Sequence, residues 1–313
     1  MDCGVALEMT MSLTQPRVVE PSSRCKFPSK ITVQILQERK RSAVPISSLT
    51  AYDYPTARLV DEAGIDMILV GDSLAMAVLG HDDTLAIGMD EMLHHVKAVR
   101  RAVKHALLVA DMPYGSYHVS GDEAVANALR FIKAGAEAVK LEGGGGRVAL
   151  VKRMTEAEIS VVGHLGLTPQ SVHRMGGYKV QGKTRRAIEQ LYADAAALQD
   201  AGAVAIVLEG VPREVAANLT AQLEIPTIGI GAGPDCDGQI LVFHDLFHMT
   251  FAPAAKFVRR FGDAAQMFRD GVELFRQEVC TREFPSDAES YHLSAEVREQ
   301  GAGLLQLPKI REE

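Results

Sequence analysis

Short apolar runs in this 313-residue chain repeatedly end on side chains that can bind or move charge. Met67-Ile-Leu-Val-Gly-Asp72 is followed by Ser73, Leu107-Leu-Val-Ala110 by Asp111, and Ala138-Val-Lys-Leu-Glu142 carries Lys140 and Glu142. His164 follows Ser160-Val-Val-Gly163, and Glu209 follows Ala203-Val-Ala-Ile-Val-Leu208. One acid in such a place commonly caps the next helix. A succession of them is better explained by convergence on a site. Asp72 and Asp111 offer carboxylate oxygens with no Cys or His pair nearby, a donor set that suits Mg²⁺ or Mn²⁺ rather than zinc. A 2-oxo acid can chelate such an ion through its carboxylate and keto oxygens, which polarises the carbonyl and favours an enolate. Glu142 could then orient an ion-bound water and Lys140 could offset substrate charge. Glu209, on a more distant run, is available as general base at the substrate carbon.

These groups need a scaffold that gathers run ends, and the chain repeats one. Asp61-Glu-Ala-Gly-Ile-Asp-Met-Ile-Leu-Val-Gly-Asp72, Ile132-Lys-Ala-Gly-Ala-Glu-Ala-Val-Lys-Leu-Glu142 and Gln199-Asp-Ala-Gly-Ala-Val-Ala-Ile-Val-Leu-Glu209 share the order helix end, Ala-Gly, apolar run, acid. Gly64, Gly135 and Gly202 fall where a helix end needs a left-handed residue. The runs are too short for helices and suit buried parallel strands. Further strands are expected at Val44–Leu49, Leu107–Ala110, Ser160–Gly163, Thr227–Ile230 and Ile240–Phe243. Helices are expected at Met89–Lys104, Asp122–Ala134, Arg185–Asp200 and Arg213–Leu223. Strands alternating with helices predict an α/β fold, a (β/α)8 TIM barrel, whose active site lies at the C-terminal strand ends. An open doubly wound sheet is the alternative, but no G-x-G-x-x-G follows a first strand. The expected organisation is an N-terminal extension over residues 1–30, a catalytic barrel with flanking helices over 31–292, and a tail over 293–313.

The net charge of -7 argues against a dedicated nucleic-acid or anionic-membrane binder. Cys3, Cys25, Cys236 and Cys280 form no C-x-x-C pair, so neither a disulfide framework nor a zinc knuckle is expected. No apolar run approaches the ~20 residues needed to span a bilayer, and the first residues lack a positive region followed by an apolar core. A cytoplasmic protein is expected. His244 and His248 are spaced like a helical zinc pair, yet no third ligand accompanies them, so they read as surface or packing histidines. Gly229-Ile-Gly-Ala-Gly233 is either a backbone phosphate cradle or a tight turn.

Longer stretches carry a family resemblance. Thr50-Ala-Tyr-Asp-Tyr54, Val70-Gly-Asp-Ser-Leu74, Gly80-His-Asp82 and Val139-Lys-Leu-Glu-Gly-Gly144 resemble the ketopantoate hydroxymethyltransferase family. So do Gly163-His-Leu-Gly-Leu-Thr-Pro-Gln-Ser-Val172, Gly176-Gly-Tyr-Lys-Val-Gln-Gly182, Ile228-Gly-Ile-Gly-Ala-Gly233 and Asp237-Gly-Gln239. The resemblance implies a Mg²⁺-dependent barrel that makes ketopantoate from 3-methyl-2-oxobutanoate and 5,10-methylenetetrahydrofolate, on the way to pantothenate and coenzyme A. It implies Asp72 and Asp111 as metal ligands, with Glu142 acting on the metal through water. It further implies Ser73, Lys140 and His164 as substrate contacts alongside the two aspartates, Glu209 as proton acceptor, and a decameric homo-oligomer. Ala75, Gly210 and Pro234 depart from the family's usual residues without removing an ionisable group. The rival function is a Mg²⁺-dependent carbon–carbon lyase of the isocitrate lyase and phosphoenolpyruvate mutase type. Such lyases usually carry a Lys-x-Cys-Gly-like loop, which is missing from the sequence.

Overall fold

The structure, a computed structural model, describes residues 29–300. The expected extension over 1–30 therefore lies almost entirely outside the described residues, as does the end of the tail. The strands are β1 (Ile46–Thr50), β2 (Met67–Val70), β3 (Leu107–Asp111), β4 (Ala138–Glu142), β5 (Val161–Gly166), β6 (Ala205–Glu209), β7 (Thr227–Ile230) and β8 (Gly238–Leu241). They pair in sequence order, all parallel, and β8 returns to β1 to close the barrel. The helices are α1 (Val33–Arg41), α2 (Tyr54–Glu62), α3 (Leu74–Ala77), α4 (Met89–Ala102), α5 (Gly121–Lys133), α6 (Val148–Glu156), α7 (Val172–Met175), α8 (Arg185–Asp200), α9 (Arg213–Gln222), α10 (Phe243–Leu246), α11 (Ala264–Thr281) and α12 (Ala295–Gln300). The expected (β/α)8 barrel is present.

Ala-Gly punctuation works as the repeat implied. Helices α2, α5 and α8 each end on an alanine, and the next residue, Gly64, Gly135 or Gly202, has φ of 83°, 101° or 96°. The eighth strand begins two residues before its expected start. Gly238 pairs with Ile46, and a Cβ on it would lie 2.5 Å from the Ile46 carbonyl oxygen. This glycine, which lies before the expected strand, lets β8 close against β1.

An unexpected element closes the amino-terminal end of the barrel. Ile31 and Leu36, from the segment leading into α1 and from α1 itself, join Ile46, Met67, Leu107 and other inward residues in one core cluster. Three acids that each sit just before a strand hold this segment in place. Lys30 meets Glu137 at 2.5 Å, Arg39 meets Asp66 at 2.7 Å and Lys40 meets Asp237 at 2.7 Å. The same acids accept backbone N–H groups from neighbouring strands, Leu108 for Glu137, Ser47 for Asp66 and Thr227 for Asp237. Each staple thus ties two strand starts and the closing segment together.

Asp61, buried near the end of α2, performs a related task. It accepts the backbone N–H groups of Lys104, His105 and Ala106 at 2.8–3.0 Å, fixing the entry to β3. Removing a charged acceptor strands several buried donors. Asp61→Ala should therefore lower the stability of the fold by about 2–4 kcal/mol in urea denaturation; a change below about 0.5 kcal/mol would contradict this role.

The described chain forms two compact units. One runs to Phe243 and includes Ala255–Val258; the other comprises His244–Ala254 and the residues from Arg259 onward. In the second, Asp263 caps α11 by accepting from the Gln266 backbone and also meets His248 Nδ1 at 2.9 Å. His248 is thus engaged with a carboxylate of the same unit. No helix among the described residues is long and apolar enough to cross a membrane.

Candidate active site

Strand periodicity delivers most of the site. Leu107 and Val109 of β3, Ala138 of β4, Val162 of β5, and Ala205 and Val207 of β6 point inward and pack together. Side chains alternate along a strand. Residues in phase with these therefore also face inward, nearer the C-terminal strand ends: Asp111, Lys140 and Glu142, His164, and Glu209. Register then fixes the neighbours. Asp111 is the ladder partner of Lys140, and Glu142 that of His164. Lys140 Nζ accordingly lies 2.8 Å from Asp111 Oδ1, and His164 Nδ1 lies 3.3 Å from Glu142 Oε1. The apolar layers below keep this polar layer dry.

Asp72 is out of phase with Met67 and Leu69. It lies beyond β2, where the turn into α3 brings its backbone N–H to Asp111 Oδ2 at 3.1 Å. Ser73, at the start of α3, is less buried and its Oγ lies 2.8 Å from the Tyr52 hydroxyl. Glu209 ends β6 with 16% of its side chain exposed, and its Oε2 lies 3.3 Å from His164 Nε2. His164 therefore bridges Glu142 and Glu209. The structure brings together Asp72, Asp111, Lys140, Glu142, His164 and Glu209, while Ser73 stands at the edge of the group.

Burial works against charge throughout this layer. Burial and the neighbouring Asp111 push the Asp72 carboxyl well above the usual aspartate range. Asp111 is raised as well, by burial, with Lys140 offsetting part of the effect. At Glu142 burial is outweighed by the close approach of His164, by the Lys140 charge and by the Gln170 backbone N–H, which hold it below its ordinary value. The Lys140 ammonium resists its own burial because Asp111, Glu142 and Asp72 surround it, and it stays above the ordinary lysine range. His164, opposed by burial and by Lys140, is nevertheless raised to about 9 by the Glu142 and Glu209 carboxylates beside it.

The residue types fit a hard divalent cation. Asp111 Oδ1 and Glu142 Oε1 are buried and accept no hydrogen bond of normal geometry, although Lys140 stands near both. Two adjacent aspartates driven toward neutrality chiefly by burial, with carboxylate repulsion adding to it, would be relieved by positive charge. Among the described residues no group of three or more His, Cys, Asp or Glu side chains is arranged as a metal cluster. Mg²⁺ needs no such cage, since it keeps several waters and uses one or two carboxylates.

Sequence reading missed three residues of the site. Gln170 donates through Nε2 to Asp72 Oδ2 at 2.9 Å and to the Met112 carbonyl at 3.0 Å, and its backbone N–H donates to Glu142 Oε2 at 3.0 Å. The buried Tyr117 donates its hydroxyl to Gln170 Oε1 at 2.6 Å. Tyr52 supports Ser73. All three are uncharged and lie off the strands, so an ionisable group at a strand end does not mark them; Gln170 falls within the Gly163–Val172 motif and Tyr52 within Thr50–Tyr54.

Gly166 governs how Glu209 is seated. The two are ladder partners, Gly166 has φ of 93°, and a Cβ there would lie 2.2 Å from the Glu209 carbonyl oxygen. Gly166→Ala should cost about 1–3 kcal/mol of stability from backbone strain alone, read by thermal or urea unfolding. Unchanged stability would show that the β5–β6 pair accommodates the methyl.

A closed parallel barrel whose C-terminal mouth holds buried acids, a lysine and a bridging histidine defines a (β/α)8-barrel enzyme. The sequence model of the ketopantoate hydroxymethyltransferase family matches residues 30–287. The 3-methyl-2-oxobutanoate hydroxymethyltransferase of Koribacter versatilis is 67% identical over 273 residues, covering 87% of this chain and 92% of that protein. The protein of the same name from a Thermoanaerobacter species is 50% identical over 265 residues, covering 84% and 97%. The chain belongs to the ketopantoate hydroxymethyltransferase family and is a hydroxymethyl-transferring enzyme. Among solved structures it is similar to a phosphonopyruvate hydrolase in complex with oxalate and Mg²⁺, with a TM-score of 0.58 at 16% identity over 88% of this chain and 96% of that one. It is also similar to 2,3-dimethylmalate lyase, with a TM-score of 0.54 at 16% identity over the same shares. At that identity the likeness concerns the fold alone.

Proposed function

We propose that the chain transfers a one-carbon unit from 5,10-methylenetetrahydrofolate to carbon 3 of 3-methyl-2-oxobutanoate. Water supplies the hydroxyl oxygen, and the products are ketopantoate and tetrahydrofolate. The observation that carries this reading is the joint burial of Asp72, Asp111, Lys140 and Glu142 within reach of a bridged His164–Glu209 pair, in a chain 67% identical to a protein of that name. Asp72 and Asp111 would hold Mg²⁺ directly, with Glu142 acting through water. The ion would supply Lewis-acid polarisation of the oxo acid.

The chain's own residues divide the remaining work. Lys140 compensates charge on the bound oxo acid, and Ser73, oriented by Tyr52, offers a hydroxyl to its polar end. Glu209 takes the proton from carbon 3. His164 stands 3.3 Å from both Glu142 Oε1 and Glu209 Oε2, and in its protonated form its charge favours the ionised Glu209 carboxylate. Apolar strand layers below the site, including Val109 and Val207, exclude water from beneath the reacting carbon.

Incubating the protein with the oxo acid, the folate donor and Mg²⁺ should give ketopantoate, and omitting either the donor or the ion should abolish it. Cleavage of a carbon–carbon bond in a 2-oxo or 2-hydroxy diacid without folate would support the lyase reading instead.

A further inference from the structure

Each of the three buried carboxylates has one oxygen held by a neutral N–H donor. Asp111 Oδ2 accepts from the Asp72 backbone, Asp72 Oδ2 from the Gln170 side-chain amide, and Glu142 Oε2 from the Gln170 backbone. Two of these three anchors come from one residue. Gln170 can serve both because it lies in the short turn Pro169–Ser171, where N–H groups at the start of a helical turn have no partner within it. Its backbone N–H is free for Glu142 while its side chain extends to Asp72.

The direction of the Gln170 amide is also determined. The Met112 carbonyl can only accept, and an ionised Asp72 can only accept, so the NH₂ group must face them and Oε1 must face Tyr117. The Tyr117 hydroxyl in turn lies 3.3 Å from the Glu142 backbone N–H, which can only donate. The Tyr117 proton is therefore directed at Gln170 Oε1. Each member of the chain Glu142 N–H, Tyr117, Gln170, Asp72 has one permitted orientation, and Tyr117 and Gln170 are both buried. Arg147 lies over the Tyr117 ring, 4.8 Å from its centroid, and closes the outer side.

We propose that Gln170 and Tyr117 are positioning residues: Gln170 fixes one oxygen of Asp72 and one of Glu142, leaving the other Asp72 oxygen for a divalent cation and the other Glu142 oxygen for a water on it, and Tyr117 fixes Gln170. This rests on the functional reading above, in which the carboxylates hold Mg²⁺. Groups that hydrogen-bond a metal's ligands commonly set its affinity by about 10–100-fold.

The test is Mn²⁺ binding by the full-length protein without substrate, followed by electron paramagnetic resonance. Gln170→Leu should weaken binding by about 10–100-fold. Tyr117→Phe, which removes one hydrogen bond and keeps the ring, should weaken it by about 2–10-fold. Added to Gln170→Leu, it should weaken binding no further, because its effect passes through the missing amide. Two single variants that bind Mn²⁺ like the parent would overturn the proposal, and so would a Tyr117→Phe effect of full size in the Gln170→Leu background. Should Gln170→Leu fail to fold, parent-like affinity in Tyr117→Phe alone would overturn it. A parent protein that takes up no Mn²⁺ would overturn the metal reading itself, a failure visible before any substitution is made.

Discussion

Glu209→Gln should slow ketopantoate formation by about 10²–10⁴-fold, the usual worth of a general base. The change preserves shape and removes the basic oxygen. Glu209 is the site carboxylate at the open edge of the buried layer, with 16% of its side chain exposed and His164 Nε2 3.3 Å from its Oε2. The other acids are engaged with Lys140, with Gln170 or with each other. Mg²⁺ and oxo-acid binding should survive, while exchange of the carbon-3 hydrogen with deuterated water, measured without folate, should slow in step with turnover. Exchange at the parent rate with ketopantoate formation lost would move Glu209 to the folate half of the reaction and make His164 the first candidate for the base.

Asp111→Asn should remove Mg²⁺-dependent binding of the oxo acid. Loss of a group that merely orients a ligand costs about 10–100-fold in metal affinity, and loss of a direct ligand should cost more. The substitution keeps an oxygen to accept from the Asp72 backbone but removes the charge that faces Lys140 at 2.8 Å. Lys140 would retain Glu142 at 3.8 Å, so the buried ammonium is not left without a carboxylate. Calorimetric titration of the oxo acid with and without Mg²⁺ gives the answer. Equal affinities in parent and variant would place the ion elsewhere.

Much of this site was legible because two periodicities did the positioning. Alternation along β3 to β6 forces Asp111, Lys140, Glu142, His164 and Glu209 to one face, and the Ala-Gly repeat sets where the strands begin. A charged residue in phase with buried valines is a signal that a single sequence can display. Asp72 carries the same signal as the others, an ionisable group closing an apolar run, although it is out of phase and a turn carries it inward. Gln170 and Tyr117 escaped because a neutral side chain in a loop has no distinguishing pattern; its value lies in a hydrogen-bond direction set by residues 28 to 98 positions away. The start of β8 escaped because a glycine has no side chain to mark a strand, and its role is seen only in its close approach to Ile46. Closure of the barrel floor by Ile31 and Leu36 escaped because the run around α1 is strongly charged, and those charges turn out to be the staples to Glu137, Asp66 and Asp237.

The most direct test of the central claim uses 5,10-methylenetetrahydrofolate labelled with carbon-13 in its methylene group. The protein is incubated with this donor, 3-methyl-2-oxobutanoate and Mg²⁺, and the products are followed by carbon-13 magnetic resonance. The account predicts that the label appears in the new hydroxymethyl carbon of ketopantoate, and that the signal is missing when Mg²⁺ is chelated or when Asp111→Asn replaces the parent. Label remaining on the folate while the oxo acid is unchanged, in a folded protein supplied with Mg²⁺, would contradict it.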